Sequence, residues 1–145
     1  MPDYVIDLDP VQQVLRVTLS NVVTDQVARD AYHSLARLAA EGGPYAAITD
    51  CSGVRDLKLS ADTVRSLAHE PPAVPAGRPR VAVVNRLVMY ALTDMFASIR
   101  TPMGLQFHIV WSPDDAYAML GVSRESFSQR LFPENQLADK SAEGI

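Results

Sequence analysis

Nucleophilic or metal chemistry in this chain of 145 residues would have to draw on one cysteine, three histidines and seventeen acids, and their spacing speaks against each. Cys51 stands beside Ser52 with no histidine or other base nearby in sequence to lower its pKa. A small cysteine at the end of an apolar run reads as packing, and a single cysteine excludes both an intrachain disulfide and a CxxC pair. His33, His69 and His108 fall on three separate segments without HxxxH spacing. Asp7-Leu8-Asp9 and Asp114-Asp115 have the positions of turn and helix-cap acids, and Glu41-Gly42-Gly43-Pro44 ends a helix where a phosphate loop would open one. The pattern therefore marks no catalytic residue, no metal site and no cofactor.

Charge narrows the partners. With a net charge of −4 the chain has no basic face with which to neutralise phosphates, which argues against DNA and RNA. Only Lys58 and Lys140 are lysines, so arginine carries the cationic chemistry, and an anion would be bound wherever arginines converge. A hydrophobic fraction of 48% with 21% charged residues is that of a globular domain with an ordinary core. The first residues form neither a basic leader nor an apolar run of signal-peptide length, and no later run approaches membrane-spanning length; the expected compartment is the cytoplasm.

The elements that must position these residues alternate. Tyr4 to Leu8 and Val14 to Leu19 are β-prone runs joined by an Asp-Pro turn signal, which predicts an antiparallel hairpin. Thr24 caps a helix carrying Val27, Ala31, Leu35 and Leu38 at helical spacing up to Gly42-Gly43. Tyr45 to Thr49 reads as a strand emptying into a polar turn at Asp50-Cys51-Ser52-Gly53, and Ser60 opens a second helix. Four prolines between Glu70 and Pro79 impose an extended connection. Val81 to Val84 is a β-branched run suited to the centre of a parallel sheet, Leu87 to Ile99 a third helix, and Leu105 to Trp111 a last strand. Ser112-Pro113-Asp114-Asp115 then caps a fourth helix. The order predicts an α/β fold: a mostly parallel sheet of about five strands, an N-terminal antiparallel hairpin and four helices. One domain over residues 1–122 is expected, with residues 123–145 an extension packed on it or on a partner through Phe127, Leu131 and Phe132.

Open α/β sheets bind ligands beyond the carboxyl ends of their strands. That rule groups Asp50, Ser52, Arg55, Ser60, Asn85, Arg86 and Ser112 along one rim, where helix N-termini add free amides suited to an anion or a partner's acidic group. The third helix is lopsided: its apolar arc spans about 160° at 100° per residue, wider than packing on a sheet needs. If Val88, Leu92, Met95 and Ile99 serve the core, Met89 and Phe96 form a free flank for a second copy of the chain or an apolar ligand.

The order of elements resembles the STAS domain family, the fold of anti-sigma-factor antagonists, and in particular its small stand-alone bacterial members that are similar to SEC14 lipid-binding domains. The likeness rests on the Thr24-led first helix, on Ile48-Thr49-Asp50-Cys51-Ser52-Gly53-Val54, and on the helix that follows Val81 to Val84; it covers roughly residues 3–120. The resemblance implies a non-enzymatic regulatory module that meets a protein partner through the Asp50 to Arg65 region. A second Asp-Ser-Ser-Gly-like turn carries the phosphorylated serine in such antagonists; here Lys58-Leu59-Ser60-Ala61 keeps only Ser60, which the resemblance marks as the phosphorylation position. The alternative it implies is a small apolar-ligand or lipid-binding module with peripheral contact to a membrane.

Overall fold

In the computed structural model, which describes residues 3–134, the chain makes its first corner on a buried acid. The Asp9 carboxylate accepts the backbone N–H of Val11 at 2.9 Å and of Gln12 at 3.0 Å, the local turn that an Asp-Pro pair favours. Strand β1 (Tyr4–Asp9) thereby lies antiparallel to β2 (Val14–Thr24), from Tyr4 opposite Leu19 to Asp9 opposite Val14. Thr24 ends β2 and caps α1 (Asp25–Gly42), its hydroxyl accepting the Val27 N–H at 3.2 Å. There follow β3 (Ala46–Lys58), α2 (Ala61–Ala68), β4 (Arg80–Val83), α3 (Leu87–Arg100), β5 (Phe107–Val110), α4 (Pro113–Leu120) and β6 (Gln129–Phe132).

The strands form one sheet in the order β5-β4-β3-β2-β1-β6, parallel from β2 to β5 and antiparallel where β1 meets β2 and β6. Strands added stepwise in one direction by crossovers of one hand place their connecting helices on one face. Accordingly α1, α2 and α3 cover one side of the sheet. From β5 at one edge the chain must cross the sheet to reach β6 at the other, and α4 covers the opposite face on the way. Alternation along each strand then decides which side chain enters which layer. On β4, Val81 and Val83 pack towards α4, while Arg80, Ala82 and the following Val84 point under α1, α2 and α3.

The mixed α/β sheet with its N-terminal hairpin and four helices matches the expectation, and three details differ. There are six strands, because the segment after α4 contributes β6: Phe127 inserts into the core beneath α4, Phe132 stacks on Tyr4 at 4.6 Å, and Arg130 reaches the Asp7 carboxylate at 2.7 Å. Residues 123–134 are thus built into the sheet, and the remainder of the expected extension lies outside the described residues. Strand β4 is interior but next to the edge strand, with β3 and β2 at the centre; its valines are still buried on both faces because helices cover both. Finally, Asp50 to Gly53 is no turn. β2 continues alongside and gives the backbone hydrogen-bond partners as far as Thr24 opposite Lys58, so β3 runs on as a strand.

Candidate functional site

The expected rim assembles only in part, and its side chains have structural work. Pairing between β3 and β4 stops at Asp50 opposite Val83, which leaves later carbonyls of β3 without a strand on that side. Asn85 fills the gap by donating to the carbonyls of Ser52 at 3.2 Å and Val54 at 2.9 Å. Arg86 donates to the carbonyls of Val54 at 2.6 Å and Arg55 at 3.1 Å and to the Asn85 side chain at 3.0 Å, so every nitrogen of its guanidinium is engaged. Asp50 accepts both the backbone N–H and the hydroxyl of Ser52, at 2.9 and 2.7 Å. Arg55 joins this cluster through its carbonyl, its side chain being exposed.

Ser60 and Ser112 stand apart as helix caps. Ser112 accepts the Asp115 N–H at 3.2 Å and starts α4. Ser60 accepts the Thr63 N–H at 3.2 Å, while its own N–H and hydroxyl donate to Asp25 at 2.7 and 3.0 Å. The Ser60 backbone N–H, more than the hydroxyls of Ser60 and Thr63, holds the Asp25 carboxyl below its ordinary pKa. A phosphoryl group on Ser60 would face that carboxylate.

Helix α3 is turned differently from the expectation. Its buried positions are Met89, Phe96, Ala97 and Arg100, with Leu92 and Thr93 beside them, a stripe at i, i+3, i+4, i+7, i+8 and i+11. Val88, expected in the core, is 57% exposed, and Tyr90 stacks on Trp111 at 5.6 Å on the outer side. Arg100, a charged residue that is nevertheless only 2% exposed, closes this stripe at the end of α3. Met89 and Phe96 are therefore inside the molecule, which removes them from any surface for a second copy and makes them walls of a cavity.

That cavity, of about 150 Å³, lies between the sheet and helices α1, α2 and α3. The middle of its floor is made of small side chains, Thr49 and Cys51 of β3 and Ala82 of β4, flanked by Val17 and Leu19 of β2 and by Val84. Leu35, Leu67, Met89, Leu92 and Phe96 close it from above. It is polarised along the strands. Towards the carboxyl end of β3 the lining is Val54, Leu57 and Leu59. At the other end stands the Arg80 guanidinium, 5.5 Å from the centre of the Tyr32 ring, 5.2 Å from Phe96 and 5.7 Å from Phe107.

Behind Arg80, the Arg100 guanidinium lies 5.9 Å from the Tyr32 ring centre and 5.1 Å from that of Phe96. It donates to the Tyr32 hydroxyl at 2.6 Å and to the Leu67 carbonyl at 3.0 Å. The Tyr32 hydroxyl in turn donates to the Pro71 carbonyl at 2.7 Å. Among the described residues no carboxylate pairs with either arginine; Nε of Arg80, Nε and Nη1 of Arg100 and the Thr49 hydroxyl are buried without a hydrogen-bond partner. Burial lowers the pKa of Arg80 to about 10, with the Arg100 charge acting in the same direction and Tyr32 opposing it. The same burial, with the Asp50 charge, pushes the Cys51 thiol up to about 12 against the pull of Arg80, so at neutral pH the thiol is protonated.

Sequence reasoning missed both arginines. The signal was present at Arg80, which heads the apolar run Val81 to Val84 and shares a strand face with Ala82 and Val84, and at Arg100, eleven residues after Met89 on one helical stripe. The histidines do not converge: His33 meets Glu70 at 3.0 Å, and His69 bonds the Arg65 carbonyl at 2.8 Å. Among the described residues no helix is long and apolar enough to cross a membrane. Fold and site together define an α/β domain with an apolar pocket between the sheet and three helices, bordered at one end by the half-buried Arg80. No family model matches the chain, and no curated protein matches it.

Proposed function

We propose that this chain is a non-catalytic binding module whose ligand is a small, largely apolar molecule held between the sheet and helices α1, α2 and α3. The cavity floor carries the reading. At about 24 cal/mol per Å³, a cavity of 150 Å³ costs on the order of 3 to 4 kcal/mol, a large fraction of the roughly 5 to 15 kcal/mol by which domains are stable. Leucine for Ala82 would remove most of that cost, so the small floor is what a ligand site needs and a packed core does not. An apolar cavity of this volume accepts a molecule the size of benzene.

Titration with the neutral probe hexanamide, followed by methyl NMR of Leu67, Leu92 and Met89, tests the reading. Saturable shifts are expected in the wild type and none in a folded Ala82→Leu variant; absence of shifts in the wild type would refute it. The protein partner implied by the STAS resemblance has less support. Asn85 and Arg86 are committed to β3 carbonyls, and Ser60 is committed to Asp25 and the cap of α2.

A further inference from the structure

A cavity for a purely apolar molecule has no use for a cation, yet this one ends on Arg80, with the unpartnered Thr49 hydroxyl on the adjacent strand. Ala47 is the register partner of Arg80 and Thr49 that of Ala82, so Arg80 and Thr49 project from the same face of neighbouring strands within one pleat repeat. No acid of the described chain neutralises Arg80, and Arg100 behind it adds a second positive charge. The half-buried Arg80 has its Nε buried without a partner, the Thr49 hydroxyl is likewise buried without one, and buried polar groups are ordinarily hydrogen-bonded, so the missing partner belongs to the ligand.

Resting on the cavity reading above, we propose that the ligand is a small monocarboxylate. Its carboxylate meets the Arg80 guanidinium and the Thr49 hydroxyl, and its apolar body, about the size of one ring or a six-carbon chain, lies along Cys51 and Ala82 towards Val54 and Leu57. A planar two-oxygen anion fits because the guanidinium presents a planar fork of donors. A phosphate dianion has more oxygens to satisfy than Arg80 and Thr49 can serve, since Arg100 stands behind Arg80 and does not line the cavity. The rings of Tyr32, Phe96 and Phe107 flank the cation, which favours its charged form while the ligand is absent.

Calorimetric titration of the wild type with hexanoate and with hexanamide, two probes of the same shape, tests the head-group assignment at pH 7. Hexanoate is expected to bind roughly ten- to hundredfold more tightly, the range for a charge-assisted hydrogen bond that leaves no buried partner unmade. In Arg80→Met the preference should vanish while hexanamide binding persists. Equal affinity of the two probes in the wild type overturns the carboxylate assignment and leaves the cavity reading intact. Failure of both probes to bind overturns the cavity reading itself. Because the decisive comparison uses the wild type alone, the test holds even if Arg80→Met does not fold.

Discussion

Replacing Arg80 by methionine should make the protein more stable. The folded state lowers the pKa of this guanidinium by more than two units, to about 10, chiefly by burial. At 1.36 kcal/mol per unit, that represents on the order of 3 kcal/mol by which the charged form is disfavoured in the fold. The three flanking rings return part of it, about 1 to 2 kcal/mol for a desolvated cation over aromatic faces. Methionine retains most of the apolar contact and adapts its shape, so its own packing cost is small. The net expectation at pH 7 is a gain of about 1 to 2 kcal/mol, or a rise in Tm of roughly 3 to 10 °C, measured by urea and thermal unfolding.

The same comparison has a signed pH dependence. Above about pH 10 the unfolded chain still holds a proton that folded Arg80 has begun to release, so wild-type stability rises with pH there relative to a protein without the group. The advantage of the methionine variant should therefore shrink above pH 10. Hexanoate at one fixed concentration should close the gap from the other side, raising the Tm of the wild type more than that of the variant. If Arg80→Met instead loses more than about 1 kcal/mol at pH 7, the guanidinium is a structural member of the core and the argument from an unpaired charge fails.

Three further outcomes are expected. Asp7 is buried between Arg16 at 3.4 Å and Arg130 at 2.7 Å, so Asp7→Ala should cost about 1 to 3 kcal/mol and speed amide exchange in β6 before the rest of the sheet; unchanged exchange at Leu131 would show that β6 is held by its apolar contacts. Cys51, with its thiol pushed up to about 12 and lining the cavity, should react slowly with iodoacetamide at pH 8 and more slowly still with hexanoate bound; fast, unprotected alkylation would contradict its placement. Ser60→Ala should cost roughly 1 kcal/mol through the lost cap of α2, and Ser60→Asp more than that at neutral pH because it faces Asp25, with the difference shrinking as acid protonates the pair; an Asp variant as stable as the wild type would show that the position tolerates a phosphate's charge.

What could be read in advance followed the local chemistry. The Asp9 turn and the caps at Thr24, Ser60 and Ser112 are decided by side chains within three residues, and each takes its expected place. The length of β3 was not legible, because Asp50 to Gly53 has turn composition and becomes strand only when β2 lies alongside it. The facing of α3 was misread for a related reason. Ending the helix at Ile99 left Arg100 out of the apolar arc, and its partners, the Tyr32 hydroxyl and the Leu67 carbonyl, lie far away in sequence. Of the rim residues, Asn85 and Arg86 lie just past the end of β4, and their partners are β3 carbonyls left open by that early end. The cavity needed three small residues from two strands to meet, which no single segment reveals.

The sheet divides its labour between its faces, and this explains how the domain can hold both a void and an unpaired cation. On the α4 side, Ile48, Val81, Val83 and Ala116 are fully buried, and Arg16 is stacked 4.4 Å from the Phe127 ring while it bonds Asp7 and Tyr117. Charge on that side is paired. On the other side Arg80 and Arg100 are unpaired, and the floor is small. Both faces belong to the same strands, since Val81 and Val83 alternate with Arg80 and Ala82, so the packed face fixes the position of the groups that line the cavity. A ligand entering such a site would find Arg80 and Thr49 already placed, and binding would require little ordering of the protein. The cost of that readiness is carried in the free protein, which is why the stability of Arg80→Met bears on function as directly as a binding curve does.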